Sequence, residues 1–410
     1  MDNRKNEKKL SFQSLDVPPP VTQATQHGIY PELSHDERAR FNFEACLYKT
    51  IAKEISPGNA LVYEKRVLPK FRREHGAEPE TRHDVRRAMN ADPLHNFWGG
   101  LRRNTMEMRQ VNGQFVTLRQ LDVLASRAEH FNAGSKDLKL DTNVKVPAYV
   151  SEVDHHCMPG SYYRELVAGD VSPAANYDAG FFITTGGSIG GLCDGGGQAI
   201  ASWLKEFDSG YQPKRILDIG CALGNSLVPI AQAFPDAQIT AIDVSAPMLR
   251  YGHARAKSLG VNNIKFIQMS GEDMSAFDYG QFDLVMTSIF LHELSMKSLP
   301  KLMKEAYRVL QGGGLMLHLE QPQYSDDMSV YEQFIRDWDS YNNNEPFWSA
   351  MHEIDLVDLM VGLGFDKDSV THAAMRASSV ETEPGVKPAE DHGRAPAWHA
   401  YVARKSAEAA

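Results

Sequence analysis

The chain has 410 residues, of which 42% are hydrophobic and 23% charged, a balance typical of a globular protein rather than a disordered or fibrous one. Its length exceeds that of a usual single domain and favours two domains, or one domain with a large appendage. Acidic residues outnumber basic ones by 53 to 43, which argues against a general affinity for nucleic acid.

The cysteines and the first residues of the chain bear on the compartment. Cys46, Cys157, Cys193 and Cys221 are far apart and form no CxxC pair, so neither a disulfide framework nor a zinc knuckle is predicted. Residues 1–10 are charged and carry no apolar signal segment, and no apolar stretch is long enough to span a bilayer. We therefore expect a cytoplasmic protein with no membrane partner.

The first third of the chain predicts a tail followed by helices. Residues 1–30 are polar and include Pro18-Pro19-Pro20, a composition that predicts a disordered tail. The sequence Ser34-His35-Asp36-Glu37 is typical of a helix N-terminus, and apolar residues follow it at i+4 spacing, which predicts a helix from about Asp36 to Glu54. Residues 31–168 are predicted to be mainly helical, and we expect them to cover a substrate or to form a homodimer contact.

The middle and the end of the chain predict an α/β domain over residues 169–405. Glycine is frequent between Gly180 and Gly197, which predicts a loop or linker. Beyond it, short apolar runs alternate with helical patterns, as in βαβ units around a parallel sheet. The predicted strands are Arg215–Ile219, Gln238–Val244, Ile264–Met269, Phe282–Phe290 and Gly314–Glu320, with helices near 225–234, 246–258 and 296–310.

Two more strand patterns, Val370–Ala377 and Trp398–Arg404, have no helical pattern between them and predict an antiparallel hairpin. The predicted fold is therefore a doubly wound, mostly parallel seven-stranded sheet with an antiparallel closing hairpin, preceded by the helical region.

The first predicted strand of this domain leads into a glycine-containing turn, Asp218-Ile219-Gly220-Cys221-Ala222-Leu223-Gly224. Glycine at positions 220 and 224 permits a tight turn and a close approach of backbone amides to a ligand. A dinucleotide-binding loop would read GxGxxG, a pattern from which Ala222 and Asn225 depart. The second strand ends near Asp243, an acidic residue suited to the paired hydroxyls of a ribose, which S-adenosylmethionine (SAM) and NAD both carry.

Five ordered segments between about Lys214 and Glu320 together resemble the class I, Rossmann-like, SAM-dependent methyltransferases, of the small-molecule type similar to quinone-pathway enzymes and O-methyltransferases. The segments are the glycine loop led by Asp218, the acidic turn Asp243-Val244-Ser245-Ala246-Pro247-Met248-Leu249, Ser270-Gly271-Glu272-Asp273-Met274, Phe282-Asp283-Leu284-Val285 and Leu310-Gln311-Gly312-Gly313-Gly314. The order of the five distinguishes this resemblance from a single glycine motif.

The resemblance implies SAM as the cofactor and assigns its contacts residue by residue. Gly220 and Gly224 would line the methionine part, Asp243 would bind the ribose, and Met248 would pack on the adenine. Glu272 or Asp273 would reach the adenine amino group. The remaining cofactor residues that it implies are Asp218, Val244 and Ser288.

The fourth strand of the domain ends close to His292, at the carboxyl edge of the sheet where doubly wound folds bind ligands. A base is needed only when the methyl acceptor carries a proton that must leave, as a hydroxyl does. His292 is the catalytic candidate, and a histidine that only packs beside the methyl pocket is the open alternative. Glu320, at the end of the fifth strand, is a second candidate base.

Other patterns have ordinary structural explanations. The segment Asp154-His155-His156-Cys157 contains four residues that can bind a metal. Contiguous residues do not easily all face one ion, and no second ligand group follows at a suitable spacing, so no metal site is predicted.

One helical face after the fifth strand is aromatic: it carries Tyr331, Phe334, Trp338 and Tyr341, and Phe347 and Trp348 follow it. This aromatic face favours a core contact over the roof of a substrate pocket.

The leading hypothesis is a SAM-dependent methyltransferase that acts on a small molecule, with O-methylation favoured and S-, N- or C-methylation open. One alternative is an NAD(P)-dependent oxidoreductase, which the altered glycine loop and the antiparallel end of the sheet disfavour. The other is a non-catalytic regulator that retains the SAM-binding fold.

Overall fold

The structure is a computed structural model that describes residues 21–207, 210–375 and 398–407. Its α-helices are α1 (His35–Thr50), α2 (Pro57–Val62), α3 (Leu68–His75), α4 (Arg82–Met89), α5 (Pro93–Leu118), α6 (Leu121–Asn132), α7 (Ala148–Ser151), α8 (Ser172–Thr185), α9 (Gly195–Phe207), α10 (Leu227–Ala233), α11 (Ala246–Ser258), α12 (Leu299–Val309), α13 (Val330–Arg336), α14 (Trp338–Asn342), α15 (Trp348–Glu353) and α16 (Leu356–Leu363). Of the helices within those described ranges, none has the length and apolar character needed to cross a membrane.

The strands are β1 (Leu138–Lys139), β2 (Arg215–Ile219), β3 (Gln238–Asp243), β4 (Ile264–Gln268), β5 (Phe282–Ser288), β6 (Leu310–Glu320), β7 (Val370–Met375) and β8 (Trp398–Arg404). They form one sheet in the order β1-β4-β3-β2-β5-β6-β8-β7, in which only the β6–β8 and β8–β7 pairs are antiparallel. The predicted doubly wound sheet with an antiparallel close is therefore confirmed. The eighth strand, β1, was not predicted: two residues of the helical region pair with β4 at the edge.

Alternate residues of each central strand face opposite sides of the sheet, and both faces are covered. Ile216 of β2 lies in an apolar core with Leu204 of α9, whereas its neighbour Leu217 lies in a second core with Leu302 of α12. All four side chains are at most 1% exposed. This double burial explains why the strands read as continuous apolar runs in the sequence.

The first long helix begins as predicted and then changes pitch twice. Ser34 and Glu37 form a reciprocal capping box at its start. The helix continues into two π-helical turns, Ile51–Ile55 and Tyr63–Val67, each followed within two residues by a proline, Pro57 or Pro69. A proline cannot donate the usual i to i−4 hydrogen bond, and a wider turn accommodates its ring without ending the helix.

The prediction of a loop between Gly180 and Gly197 was wrong at both ends. Gly180 lies inside α8, and Gly195, Gly196 and Gly197 form the first turn of α9. A Cβ atom at Gly197 would lie 2.0 Å from the carbonyl oxygen of Ser226, and one at Gly180 would lie 2.3 Å from Nε of Arg109. These glycines allow close packing of helices, so their abundance signals contact rather than flexibility.

The predicted tail also ends earlier than expected. Residues 1–20 lie outside the described part of the chain, but residues 21–30 are packed against the folded protein. Ile29 is fully buried and Val21 is 4% exposed. The amide of Thr25 donates to the carbonyl of Gly191, and the ring of His27 lies 2.8 Å from Asp178. Buried apolar side chains and the buried contact between His27 and Asp178 hold this segment. The polar average composition of residues 1–30 did not reveal either of them.

The aromatic face at residues 331–341 is mainly a core contact between the helical region and the chain after β6. Phe334 and Trp338 are each 4% exposed and pack in one cluster with Trp98 of α5. Beside them, Arg86 lies 2.6 Å from Asp337 and Arg102 lies 3.5 Å from Asp339.

Candidate active site

The turn between β2 and α10 has the backbone that its glycines predicted. Gly220 and Gly224 have φ values of +73° and +75°, and Ala222 between them has φ +45°. A Cβ atom at Gly220 would lie 2.4 Å from the ring of Phe290. Glycine at 220 is therefore required both by the left-handed backbone and by the space.

Two acidic side chains lie next to this turn. Asp243 accepts one hydrogen bond at each carboxylate oxygen, from the amides of Ala222 and Ser245, both at 2.9 Å. Asp218 is 3% exposed, and within the described part of the chain nothing donates to its Oδ1. Burial raises the pKa of both carboxyls, and the charge of Asp243 raises the pKa of Asp218 further. Such atoms can still accept hydrogen bonds from a ligand.

The residues that the resemblance assigns to the adenine end of SAM differ in how deeply they are buried. Met248 is fully buried in a core that includes Met158 and Leu223, so it offers no open surface to a purine ring in this structure. Its neighbour in the acidic turn, Val244, is only half-buried, and its carbonyl accepts a hydrogen bond from Gln268, a residue that the sequence patterns did not single out.

The two acidic alternatives for the adenine amino group differ in position. Glu272 is half-buried and accepts a hydrogen bond from the hydroxyl of Tyr149 at 3.1 Å, whereas Asp273 is exposed and accepts from the amide of Ser275 in its own turn. Of the two, Glu272 is therefore the one held in place by a side chain of the helical region. Tyr149 comes from the helical region, which thus reaches the cofactor motifs.

Ser288, at the end of β5, is held against the start of α9. Its hydroxyl lies 3.0 Å from that of Ser226, and a Cβ atom at Gly196 would lie 3.5–3.6 Å from both oxygens. We refer to the residues from Asp218 to Asp273 and Ser288 as the glycine-loop side of the carboxyl edge.

The two base candidates form one unit. Nδ1 of His292 lies 2.7 Å from Glu320 Oε1, and Glu320 Oε2 accepts from the amide of Leu291 at 2.8 Å. His292 is 2% exposed, and its ring packs edge-on against Trp348 at 4.6 Å. Burial alone would lower the pKa of His292, but the charges of Glu320 and Glu293 outweigh it and raise the pKa to about 9. Glu320 therefore orients His292 and raises the affinity of its ring for a proton.

A second group of four side chains, which we call the histidine–glutamate cluster, lies beside His292. It consists of His155, His156, Glu293 and Glu345. Nδ1 of His155 lies 2.5 Å from Glu293 Oε2 and 3.5 Å from Glu345 Oε2. Nδ1 of His156 lies 2.9 Å from Glu345 Oε1, and its Nε2 lies 3.5 Å from Glu293 Oε1.

The cluster is buried and charged. Glu345 is fully buried and His155 is 1% exposed. Burial opposes charging of both histidines, but Glu293 and Glu345 raise the pKa of His155 to about 11 and that of His156 to about 10. In return, although burial would raise the pKa of Glu293, the two histidines hold it well below its usual value.

The segment that carries the two histidines is tightly folded over the site. His156, Cys157 and Ser161 have φ values of +52°, +57° and +53°, a region that non-glycine residues seldom occupy and that is frequent at functional sites. The carbonyl of Tyr162 accepts from the hydroxyl of Ser245 at 2.8 Å, and the hydroxyl of Tyr162 donates to Glu293 at 3.1 Å. Tyr162 thus joins the glycine-loop side to the cluster.

The sequence spacing did not reveal the carboxylates that lie beside His155. The additional carboxylates come from Glu293 and Glu345, residues 138 and 190 positions further along the chain than His155. Asp154 and Cys157 take no part: Asp154 accepts from the amide of Gly160, and the Cys157 thiol donates to Asn343. The run of ligand-type residues at 154–157 was the available signal, but it did not identify the partners.

Comparison with known proteins agrees with the motifs. Residues 216–314 match the sequence family described as "Methyltransferase domain". The chain is 30% identical over 163 residues to a demethylmenaquinone methyltransferase from Symbiobacterium thermophilum, covering 39% of this chain and 59% of that protein. It is 28% identical over 191 residues to the ubiquinone/menaquinone biosynthesis C-methyltransferase UbiE from Pseudomonas syringae pv. tomato, covering 42% and 73%.

The match spans 59%, 44% and 36% of the length of three curated relatives, so this chain matches only part of each of them. Among solved structures, an O-methyltransferase family protein from Burkholderia thailandensis is 12% identical with a TM-score of 0.43, covering 74% of this chain and 73% of that one. The match of residues 216–314 to the methyltransferase family, together with the order of strands in the sheet, identifies a methyltransferase domain of the class I, SAM-dependent type.

Proposed function

We propose that the whole chain is a SAM-dependent methyltransferase that O-methylates a small molecule. The observation that carries this proposal is the His292–Glu320 pair, buried at the carboxyl edge of a class I methyltransferase sheet. A hydroxyl acceptor must lose a proton, and a histidine oriented by a carboxylate is the side-chain arrangement that most often removes it.

The residues of the glycine-loop side are suited to hold SAM. Asp218 has a buried oxygen with no donor in the described structure, and each oxygen of Asp243 keeps a lone pair beyond its single backbone hydrogen bond. Ribose hydroxyls are donors that can satisfy such atoms. When bound, SAM supplies an electrophilic methyl group, and the electron pair of the broken carbon–sulfur bond stays on sulfur.

The acceptor side must then position an oxygen and remove its proton. The oxygen lone pair forms the new carbon–oxygen bond, and the neutral form of His292 takes the proton at Nε2 because Nδ1 faces Glu320. The share of enzyme with a neutral ring grows as the pH rises towards the His292 pKa of about 9. Trp348 packs edge-on against the ring of His292 and shields it from water.

C-methylation is a second candidate, because one relative is a C-methyltransferase by name. A carbanion acceptor needs no base at the transfer step, so the dependence of turnover on His292 separates the two candidates.

Calorimetry with SAM, S-adenosylhomocysteine and NAD tests the cofactor, and incubation of the full-length protein with labelled SAM and fractionated metabolites tests the transfer. We expect binding of both adenosyl ligands, no binding of NAD, and label in a small-molecule fraction. NAD binding without SAM binding would support the oxidoreductase, and SAM binding without any transfer would support the regulator.

A further inference from the structure

Apart from the charge of Glu293, which helps to raise the pKa of His292, the histidine–glutamate cluster has no part in the methyl transfer described above. Three of its side chains, His155, Glu293 and Glu345, each offer one ligand atom, and the three atoms lie within 4.8 Å of one another. All three are buried, and they come from three separate stretches of chain.

We propose that His155, Glu293 and Glu345 form a binding site for one divalent transition-metal ion on the acceptor side of the active site.

The ring of His155 is oriented as in a metal ligand. Its Nε2 lies 2.7 Å from the backbone carbonyl of Tyr149, which fixes that nitrogen as the N–H donor. In the neutral ring, Nδ1 then carries the lone pair, and Nδ1 is the atom that faces both carboxylates. Histidine ligands of metals commonly donate their second nitrogen to a carbonyl or carboxylate in this way.

The carboxylates of Glu293 and Glu345 provide negative charge and an oxygen atom that could bind a cation. Glu293 Oε2 is buried and, among the described residues, receives no hydrogen bond, although Nδ1 of His155 is only 2.5 Å away. Nδ1 of His155 and Oε2 of Glu293 are therefore close together, but the geometry is not that of a hydrogen bond. Metal binding requires a neutral His155, so the ion would displace its proton. With both histidines neutral, one divalent cation would balance the charges of Glu293 and Glu345 and would be bound by Nδ1 of His155 and Oε2 of Glu293.

The ligand types favour a particular class of ion. Imidazole nitrogen suits Zn²⁺ and Fe²⁺, whereas Mg²⁺ prefers an all-oxygen set with several waters. Three protein ligands leave at least one position open, as in catalytic rather than structural sites.

The site borders the proposed base. Glu293 directly follows His292, and its Oε1 lies 3.9 Å from Nε2 of His292. The open position would accept a water or an oxygen of the methyl acceptor; this role for the ion, unlike its binding, rests on the proposed function.

The test uses the full-length protein, freed of metal by a chelator and titrated by calorimetry with Zn²⁺ and, separately, Mg²⁺. A surface pair, His372 and His399, lies 2.5 Å apart and could itself bind Zn²⁺, so every sample carries His372→Gln. We expect one equivalent of Zn²⁺ to bind, and Mg²⁺ to bind at least about 10-fold more weakly.

Glu345→Gln and His155→Gln should each weaken Zn²⁺ binding by about 10–100-fold or more. Each variant replaces a metal ligand by a glutamine, which has a similar size but binds the ion poorly. Asp154→Asn, which changes an exposed carboxylate one residue from His155, is the matched control and should bind Zn²⁺ as the parent does. Equal Zn²⁺ affinity in all four proteins, or no binding to the folded parent, would overturn the proposal.

If a cluster variant does not fold, X-ray absorption at the zinc edge of the Zn²⁺-bound parent protein still identifies the ligand types. One or two imidazoles with carboxylate oxygens are expected, and a spectrum without carboxylate ligands would contradict the site. Binding of S-adenosylhomocysteine is measured on the same samples. Its loss would count against the proposed function, whereas loss of Zn²⁺ binding alone counts only against the metal.

Discussion

The two sides of the carboxyl edge are built from the chain in different ways. The glycine-loop side takes nearly all of its residues from the single stretch between Asp218 and Asp273, in which strands and helices alternate. The histidine–glutamate cluster takes its members from residues 155–156, 293 and 345, in three loops or short helical turns. One side is a local product of βαβ geometry, and the other exists only when distant segments pack together.

Because the two sides are built differently, substitutions in each of them should affect different measured properties. Residues on the glycine-loop side should affect SAM affinity, because their positions follow from the strands that carry them. Residues on the acceptor side should affect turnover, and contacts that seat the helical region should affect stability.

The largest expected effect is that of His292→Ala on turnover. Loss of a positioned base typically costs about 100- to 10,000-fold for a hydroxyl acceptor, while SAM affinity should stay nearly unchanged. Steady-state kinetics and calorimetry on the same protein measure the two quantities.

His292→Asn is the matched variant, because its amide can still donate to Glu320 but cannot take a proton. Activity restored by Asn would assign His292 a packing role, and so would a fall in SAM affinity equal to the fall in turnover. A small loss in both variants would favour an acceptor that needs no base, such as a carbanion.

The next effect concerns the contact that joins residues 21–30 to the domain. Asp178 lies 2.8 Å from both His27 and the hydroxyl of Tyr251. Because removing one member of a buried ion pair commonly costs about 3–5 kcal/mol, Asp178→Ala should lower the free energy of unfolding by that order. Tyr251→Phe removes one neutral donor and should cost about 1 kcal/mol. Urea unfolding measures both.

The same carboxyl predicts a pH dependence. Burial would raise the pKa of Asp178, but His27 and Arg255 lower it below its ordinary value. Its contribution to stability is therefore fully present above the unfolded pKa of about 4 and is lost as the pH falls through the lower, folded pKa. The stability difference between wild type and Asp178→Ala should narrow below about pH 4, and a difference that grows there would contradict this account.

Asp243→Ala tests the glycine-loop side. Loss of charge-assisted hydrogen bonds to ribose should weaken SAM binding by about 1.5–3 kcal/mol per strong bond. Calorimetry with Asp278→Asn as the control should show little change, because Asp278 is exposed and lies outside the glycine-loop side. If Asp243→Ala bound SAM as tightly as wild type, the ribose assignment would be wrong.

The smallest expected effect comes from one added methyl group. Gly197→Ala places a Cβ atom against the backbone of Ser226, and such overpacking costs about 1–3 kcal/mol. Gly100→Ala, in an exposed part of α5 where no atom lies within 4 Å, should instead stabilise by about 0.4–1 kcal/mol. Thermal unfolding of the pair decides whether the glycines of α9 serve packing or flexibility.

Patterns with a local cause could be predicted. The apolar runs of β2 to β5, the capping box at Ser34 and the left-handed turn at Gly220 each follow from burial or backbone geometry within a few residues. The glycines of α9 could not be interpreted correctly, because the clash that they avoid involves Ser226, which is far along the chain. Composition likewise concealed the buried Ile29.

By itself, the sequence determined the α/β sheet, its antiparallel close and the methyltransferase-type loop, because side-chain periodicity and glycine conformation act over single strands and turns. Only the tertiary structure decided that Glu320 orients His292 and that Glu293 and Glu345 meet His155. Those contacts depend on how loops pack at the edge of the sheet, where burial and paired charges, rather than sequence spacing, decide which side chains become neighbours.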